Sequence, residues 1–93
     1  HLEPFLTVPK NFNIEDTVTE EKIKKIVENY PDVKKVGRIL SLKFENILKI
    51  DIDCSFDKEL SIEKVHDLTS EIEHVIRLKI KNSVITIHPE PDE

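Results

Sequence analysis

Apolar residues in this chain recur first at helical and then at alternating spacing. Ile23, Ile26, Val27 and Tyr30 fall on one side of a helix. Thr17-Val18-Thr19-Glu20 has the capping-box spacing that opens it, and Pro31 stops it. A strand is expected from about Val36 to Phe44, then a turn at Glu45-Asn46. The next strand alternates cleanly. Leu48, Ile50, Ile52, Cys54 and Phe56 take one face; Lys49, Asp51, Asp53 and Ser55 take the other. Ser61 caps a second, longer helix, with Leu60 and Val65 spaced as a hydrophobic staple. Glu63 suits the start of its dipole, and Lys79 and Lys81 suit its end. Its expected core stripe is Ile62, Val65, Leu68, Ile72, Val75 and Ile76. A last strand runs from about Ser83 to His88, with Ile85 and Ile87 on one face and Val84, Thr86 and His88 on the other.

The order helix, strand, strand, helix, strand predicts an α+β domain. The first two strands form a hairpin. The second strand, second helix and third strand form a right-handed βαβ unit with parallel strands. Gly37, the only glycine, falls near the start of the first strand and marks a bulge or a close backbone approach. The domain spans residues 17–91, after an extended leader (1–16) and before a short tail (92–93). In the leader, Pro4, Pro9, Asn11 and Asn13 break any element, and Phe5, Leu6, Val8 and Phe12 are expected to dock on the domain or on whatever precedes it. The chain does not begin with Met, so it reads as a piece of a longer or processed protein, and His1-Leu2-Glu3 resembles a cloning remnant.

Composition narrows the function. The net charge is −5 with 35% charged residues, and one Tyr and four Phe offer little for base stacking. Nucleic-acid binding wants a basic face, so it is disfavoured, whereas cations are favoured. No apolar run has the length to span a bilayer. One cysteine precludes an internal disulfide and fits a reducing compartment; alternation places Cys54 on the core face as a small hydrophobe. Met, Gln, Ala and Trp are absent, and Lys, Glu and Ile are abundant, a bias shared with thermophile proteins.

The candidate chemistry sits at strand ends. The chain closes with His88-Pro89-Glu90-Pro91. Proline fixes φ and lacks an N–H, so this tail is expected to end the ladder and to hold an imidazole and a carboxylate stiffly two residues apart. Parallel strands bring their carboxyl ends together, which predicts a meeting of Asp53, His88 and Glu90 at a position where open α/β sheets commonly carry sites. Asp51 shares that face, although carboxylates on an outer strand face are usually just solvated. On the second helix, His66 falls on the flank of the apolar stripe, within reach of a sheet edge or a partner chain; its plainer reading is a hydrated boundary histidine. His74 falls on the solvent side, and His1 belongs with the cloning remnant. Imidazole and carboxylate together suit borderline divalent cations such as Zn²⁺. No activated nucleophile, glycine-rich phosphate loop or His-Glu-x-x-His is present, so the chain does not read as an enzyme.

Five segments, in this order, resemble one family. They are Tyr30-Pro31-Asp32-Val33, Ile50-Asp51-Ile52-Asp53, Leu60-Ser61-Ile62-Glu63-Lys64-Val65-His66-Asp67, Glu71-Ile72-Glu73 and Val84-Ile85-Thr86-Ile87-His88-Pro89-Glu90-Pro91. Together they are similar to the cytosolic C-terminal domain of the cation diffusion facilitator (cation efflux) transporters, over roughly Thr17 to Pro91. The resemblance implies an αββαβ, ferredoxin-like and metallochaperone-like two-layer sandwich with a three-stranded mixed sheet. It implies a domain on the cytoplasmic face of the membrane, attached to a transmembrane part that exports Zn²⁺ or similar cations. It further implies a homodimer with metal near its interface, sensed and coupled to transport.

Carried over position by position, the family's metal ligands fall on Asp53, His66, His88 and Glu90. A histidine that some members carry after the Pro-x-Val turn falls on Gly37. One imidazole is thus replaced by the Asp53 carboxylate and one ligand is missing. That hardens the expected site and shifts its preference from Zn²⁺ toward Mn²⁺, Co²⁺ or Fe²⁺; Cd²⁺ is a further candidate metal. The missing ligand also motivates an alternative, a constitutive dimerisation module without metal sensing. A free-standing metallochaperone would want an exposed pair of thiols.

Overall fold

The structure is a computed structural model, and it describes residues 17–92. The leader, and the side chain of Thr17 on which the capping box depends, lie outside the described residues. Five elements follow in the predicted order: α1 (Thr17–Glu28), β1 (Val33–Phe44), β2 (Ile47–Phe56), α2 (Ile62–Lys79) and β3 (Ser83–Pro91). The sheet order is β1-β2-β3, with β1 antiparallel and β3 parallel to β2. This is the α+β arrangement expected, with both helices on one face of a mixed sheet.

One face of β2 organises the core. Ile50, Ile52, Cys54 and Phe56 are buried against Ile23 and Val27 of α1, Leu68, Ile72 and Ile76 of α2, and Ile85 and Ile87 of β3. α1 ends before Pro31, because a residue preceding proline is pushed out of the helical region. Tyr30 lies just past the helix yet still packs on the core. Ser61 caps α2 as expected, its Oγ accepting from the Lys64 N–H at 3.0 Å. The Glu45-Asn46 turn joins Phe44 to its partner Ile47, with Glu45 at φ 58°. Asn82 takes the same left-handed conformation before β3 at φ 57°, a position asparagine tolerates well.

Three expectations need correction. First, β1 begins at Val33 instead of Val36, since Val33 already pairs with Phe56. Second, Ile62 is 89% exposed instead of core. It occupies the first turn of α2, where the flanking Leu60 and Val65 take the inward places. Third, β3 does not stop at His88. It runs through both prolines, pairing Pro89 with Cys54, Glu90 with Ser55 and Pro91 with Phe56. The reason is strand parity. β3 is an edge strand, so alternate N–H groups point away from β2. The Asp92 N–H donates to Phe56 O at 2.8 Å, which puts even-numbered N–H groups on the paired side. Residues 87, 89 and 91 therefore face the open edge. There Pro89 and Pro91 lose nothing, and the Ile87 N–H donates to Glu73 Oε2 at 3.1 Å instead of to a strand. The prolines blunt the edge without ending the strand.

Candidate metal-binding face

Alternation puts Asp51, Asp53 and Ser55 of β2 on the face opposite the helices, beside Thr86, His88 and Glu90 of β3. The parallel register pairs Asp51 with Thr86, Asp53 with His88 and Ser55 with Glu90. Asp53 and His88 thus stand abreast, about one strand spacing (~4.8 Å) apart. Glu90 lies one pleat further along. His88 also approaches a second carboxylate: its Nε2 is 3.5 Å from Asp51 Oδ1. Asp51 in turn accepts from Lys49 Nζ at 3.1 Å through both oxygens.

These groups line a shallow recess of about 350 Å³ formed by Arg38, Leu40, Asp51, Asp53 and His88. Arg38 arrives there through a bulge. Val36 pairs with Cys54 and Ile39 with Ile52, which leaves one extra residue in β1. Gly37 occupies this bulge, and a Cβ placed on it would lie 3.2 Å from Asp53 Cβ and 3.3 Å from Asp53 O. Both readings of this glycine hold together, the bulge and the close approach. A larger side chain at position 37 would press on the backbone and side chain of Asp53.

Behind Asp53, Cys54 is buried, and its thiol is pushed up to about 11 by burial and by the neighbouring Asp53 charge. It is a protonated core hydrophobe, as expected, and no thiolate ligand.

The structure brings some of the predicted residues together and leaves others apart. Asp53 and His88 share the recess. Glu90 shares their face but not the recess; it borders an apolar groove of about 350 Å³ lined by Phe56, Leu60, Ile62, Val65 and Pro91. His66 is exposed on α2, in the helical layer on the other side of the sheet. His74 is exposed too. Among the described residues, no three His, Cys, Asp or Glu converge into a metal-binding group within one chain. Two further residues line the recess: Asp51, which the sequence reading set aside as a solvated carboxylate, and Arg38, which it did not single out. Asp51 was signalled by its parity with Asp53. Arg38 was not signalled, because its position depends on the bulge.

The fold is a two-layer domain whose open sheet face gathers two carboxylates and an imidazole. The family model "Cation efflux protein, cytoplasmic domain" matches residues 16–92, and the chain belongs to that family. It is not a family of enzymes. No curated protein matches the chain. Solved structures share the fold. The metal-bound C-terminal domain of the CzcD transporter from Thermotoga maritima is 24% identical, with a TM-score of 0.75 over 80% of this chain and 87% of that one. The cytosolic domain of a cation diffusion facilitator family protein is also 24% identical, with a TM-score of 0.73 over 80% and 89%. The MamB CTD from Desulfamplus magnetovallimortis BW-1 is 16% identical, with a TM-score of 0.77 over 82% and 95%. No helix among the described residues is long and apolar enough to cross a membrane.

Proposed function

We propose that this chain is the metal-sensing, regulatory cytoplasmic domain of a divalent cation exporter, acting as a homodimer. One observation carries the reading: Asp53 and His88 stand abreast, with Asp51 3.5 Å from the imidazole, on the open sheet face of a cation efflux domain. The donor set fits a cation in part. Two carboxylates and an imidazole suit Zn²⁺ or its neighbours. Lys49 and Arg38 supply positive charge that an incoming ion must outcompete.

One chain does not complete the set. His66 stands on the far layer, so it joins Asp53, His88 and Glu90 only if a second copy brings it. Ile62 and the groove beside it give that copy an apolar place to dock, one helical turn from His66. Metal would then neutralise clustered carboxylates and favour one arrangement of the pair. Differential affinity for two arrangements is all that coupling to the membrane part requires. Related domains agree in chemistry, since the Thermotoga domain is described as metal-bound and a MamM CTD variant as a cadmium form.

Isothermal titration with Zn²⁺, together with small-angle scattering, tests the reading on the wild type and on His66→Ala/His88→Ala. The expected result is saturable Zn²⁺ uptake with compaction of a dimer, both lost in the variant. Equal, weak binding by the two chains would overturn it. A dimer that is stable in chelator and unchanged by metal would support the constitutive dimerisation module instead. Its motive is the Gly37 position, where the fold leaves no room for a side chain without moving Asp53.

A further inference from the structure

The end of the domain opposite the metal-binding residues carries an unusual surface. Phe44 and Ile47, which close the β1–β2 hairpin, are 65% and 46% exposed. Leu78 in the last turn of α2 and Val84 at the start of β3 are 67% and 50% exposed. The Leu48 N–H donates to Asn82 O at 2.8 Å, which ties the α2–β3 turn to the start of β2 and places these side chains at one end. One flank of α1 borders this end, because Lys22, Lys25, Ile26 and Asn29 line a groove of about 450 Å³ with Lys79 and Ile80.

Charge is distributed to match. Lys22, Lys25, Lys43, Lys79 and Lys81 gather at this end, offset in part by Glu20, Glu21 and Glu45. The other end carries Asp57, Glu59, Glu63, Glu90 and Asp92, offset in part by Lys34, Lys58 and Lys64. A chain of net charge −5 thus keeps a basic, apolar-tipped end. Exposed large apolar groups that share one end with several lysines fit an interface where apolar tips enter and long cationic side chains stay with the headgroups. The same end of a second copy would set lysines against lysines, so the charge favours an anionic partner.

We propose that this end of the domain rests on an anionic lipid bilayer surface, with its lysines on the headgroups and Phe44 and Ile47 at the boundary beneath them. The inference rests on the reading of the chain as the cytoplasmic domain of a membrane exporter. It gives that domain a defined orientation, with the metal-binding end pointing away from the lipid.

Co-sedimentation of the 93-residue chain with phosphatidylcholine vesicles, with and without phosphatidylglycerol, tests it. Binding is expected only with phosphatidylglycerol and is expected to weaken as salt rises. Lys43→Gln/Lys81→Gln should weaken it by roughly thirtyfold. Phe44→Ser/Ile47→Ser should weaken it while leaving the salt dependence in place. Lys64→Glu, at the opposite end, should leave it unchanged. No binding at low salt, equal binding to both vesicles, or an equal loss with Lys64→Glu would overturn the inference. So would concentration-dependent self-association, in ultracentrifugation, that the same lysine and apolar substitutions abolish. Zn²⁺ titration of each variant separates the two readings. A chain that takes up metal and pairs but ignores vesicles overturns this inference alone. One that binds vesicles but takes up no metal overturns only the proposed sensing.

Discussion

Along β2, neighbouring residues live in different solvents. Ile50, Ile52, Cys54 and Phe56 are at most 1% exposed, while Asp51, Asp53 and Ser55 between them face the open side. The first set holds three strands and two helices together. The second set touches mostly other polar groups and the recess. The contrast teaches that one strand separates stability from chemistry by parity alone. Residues two apart share a fate, and residues one apart do not.

That separation can be broken or sharpened by substitution. The largest effect is expected on the core side. Phe56→Ala empties a fully buried site where β1, β2 and β3 meet, and should cost about 3–5 kcal/mol in denaturant unfolding. A loss below about 1 kcal/mol would mean that the end of the sheet relaxes and that the core is looser than its burial implies.

Cys54 gives a pH-dependent version of the same test. Its folded value, about 11, stands above the ordinary 9.0 of the free thiol. The native state therefore favours the protonated thiol. This contribution is complete below pH 9 and is lost as pH rises toward 11. Tyr30, raised by burial and by the nearby Glu71 carboxylate, acts in the same direction. Unfolding midpoints measured across that window should fall, and Cys54→Val should flatten the fall. An unchanged slope in the variant would assign the loss to Tyr30 and to the other groups that titrate there.

A smaller effect, of opposite sign, is expected at Ser41. This residue is fully buried on the core side of β1, and its Oγ has no hydrogen-bond partner among the described residues. Ser41→Ala should leave stability unchanged or raise it by up to about 1 kcal/mol, because an unpaired buried hydroxyl is removed at little cost in packing. A clear loss in a thermal melt would reveal a partner for the hydroxyl. The smallest stability effect belongs to the open face. Asp53→Asn/His88→Gln should move the melt by less than about 0.5 kcal/mol. The same variant should lose Zn²⁺ uptake, which would make the two faces of β2 independent in practice as well as in geometry.

Much of this molecule was legible before any coordinates. The element order, the Ser61 cap, the buried side of β2 and the exposure of His74 all follow from local rules that act within a few residues. Gly37 announced its bulge because a lone glycine at a strand start has few other uses. The β3 prolines misled. A missing N–H ends a strand only where that N–H would have been paired, and which side of β3 is paired is a property of the sheet. Ile62 misled for a similar reason, since helical spacing says which side a residue occupies but not whether anything lies over it.

The candidate site divides along the same line. The sequence by itself determined that Asp53, His88 and Glu90 share one sheet face, because side-chain parity along a strand is set by covalent geometry. Only the tertiary structure decided that Asp51 is the carboxylate against His88, that Arg38 enters the recess, and that His66 lies across the sheet from its expected partners. Those depend on strand register, on one inserted residue in β1 and on the layer to which α2 packs. Each is chosen by the whole core at once, and no segment carries that information alone.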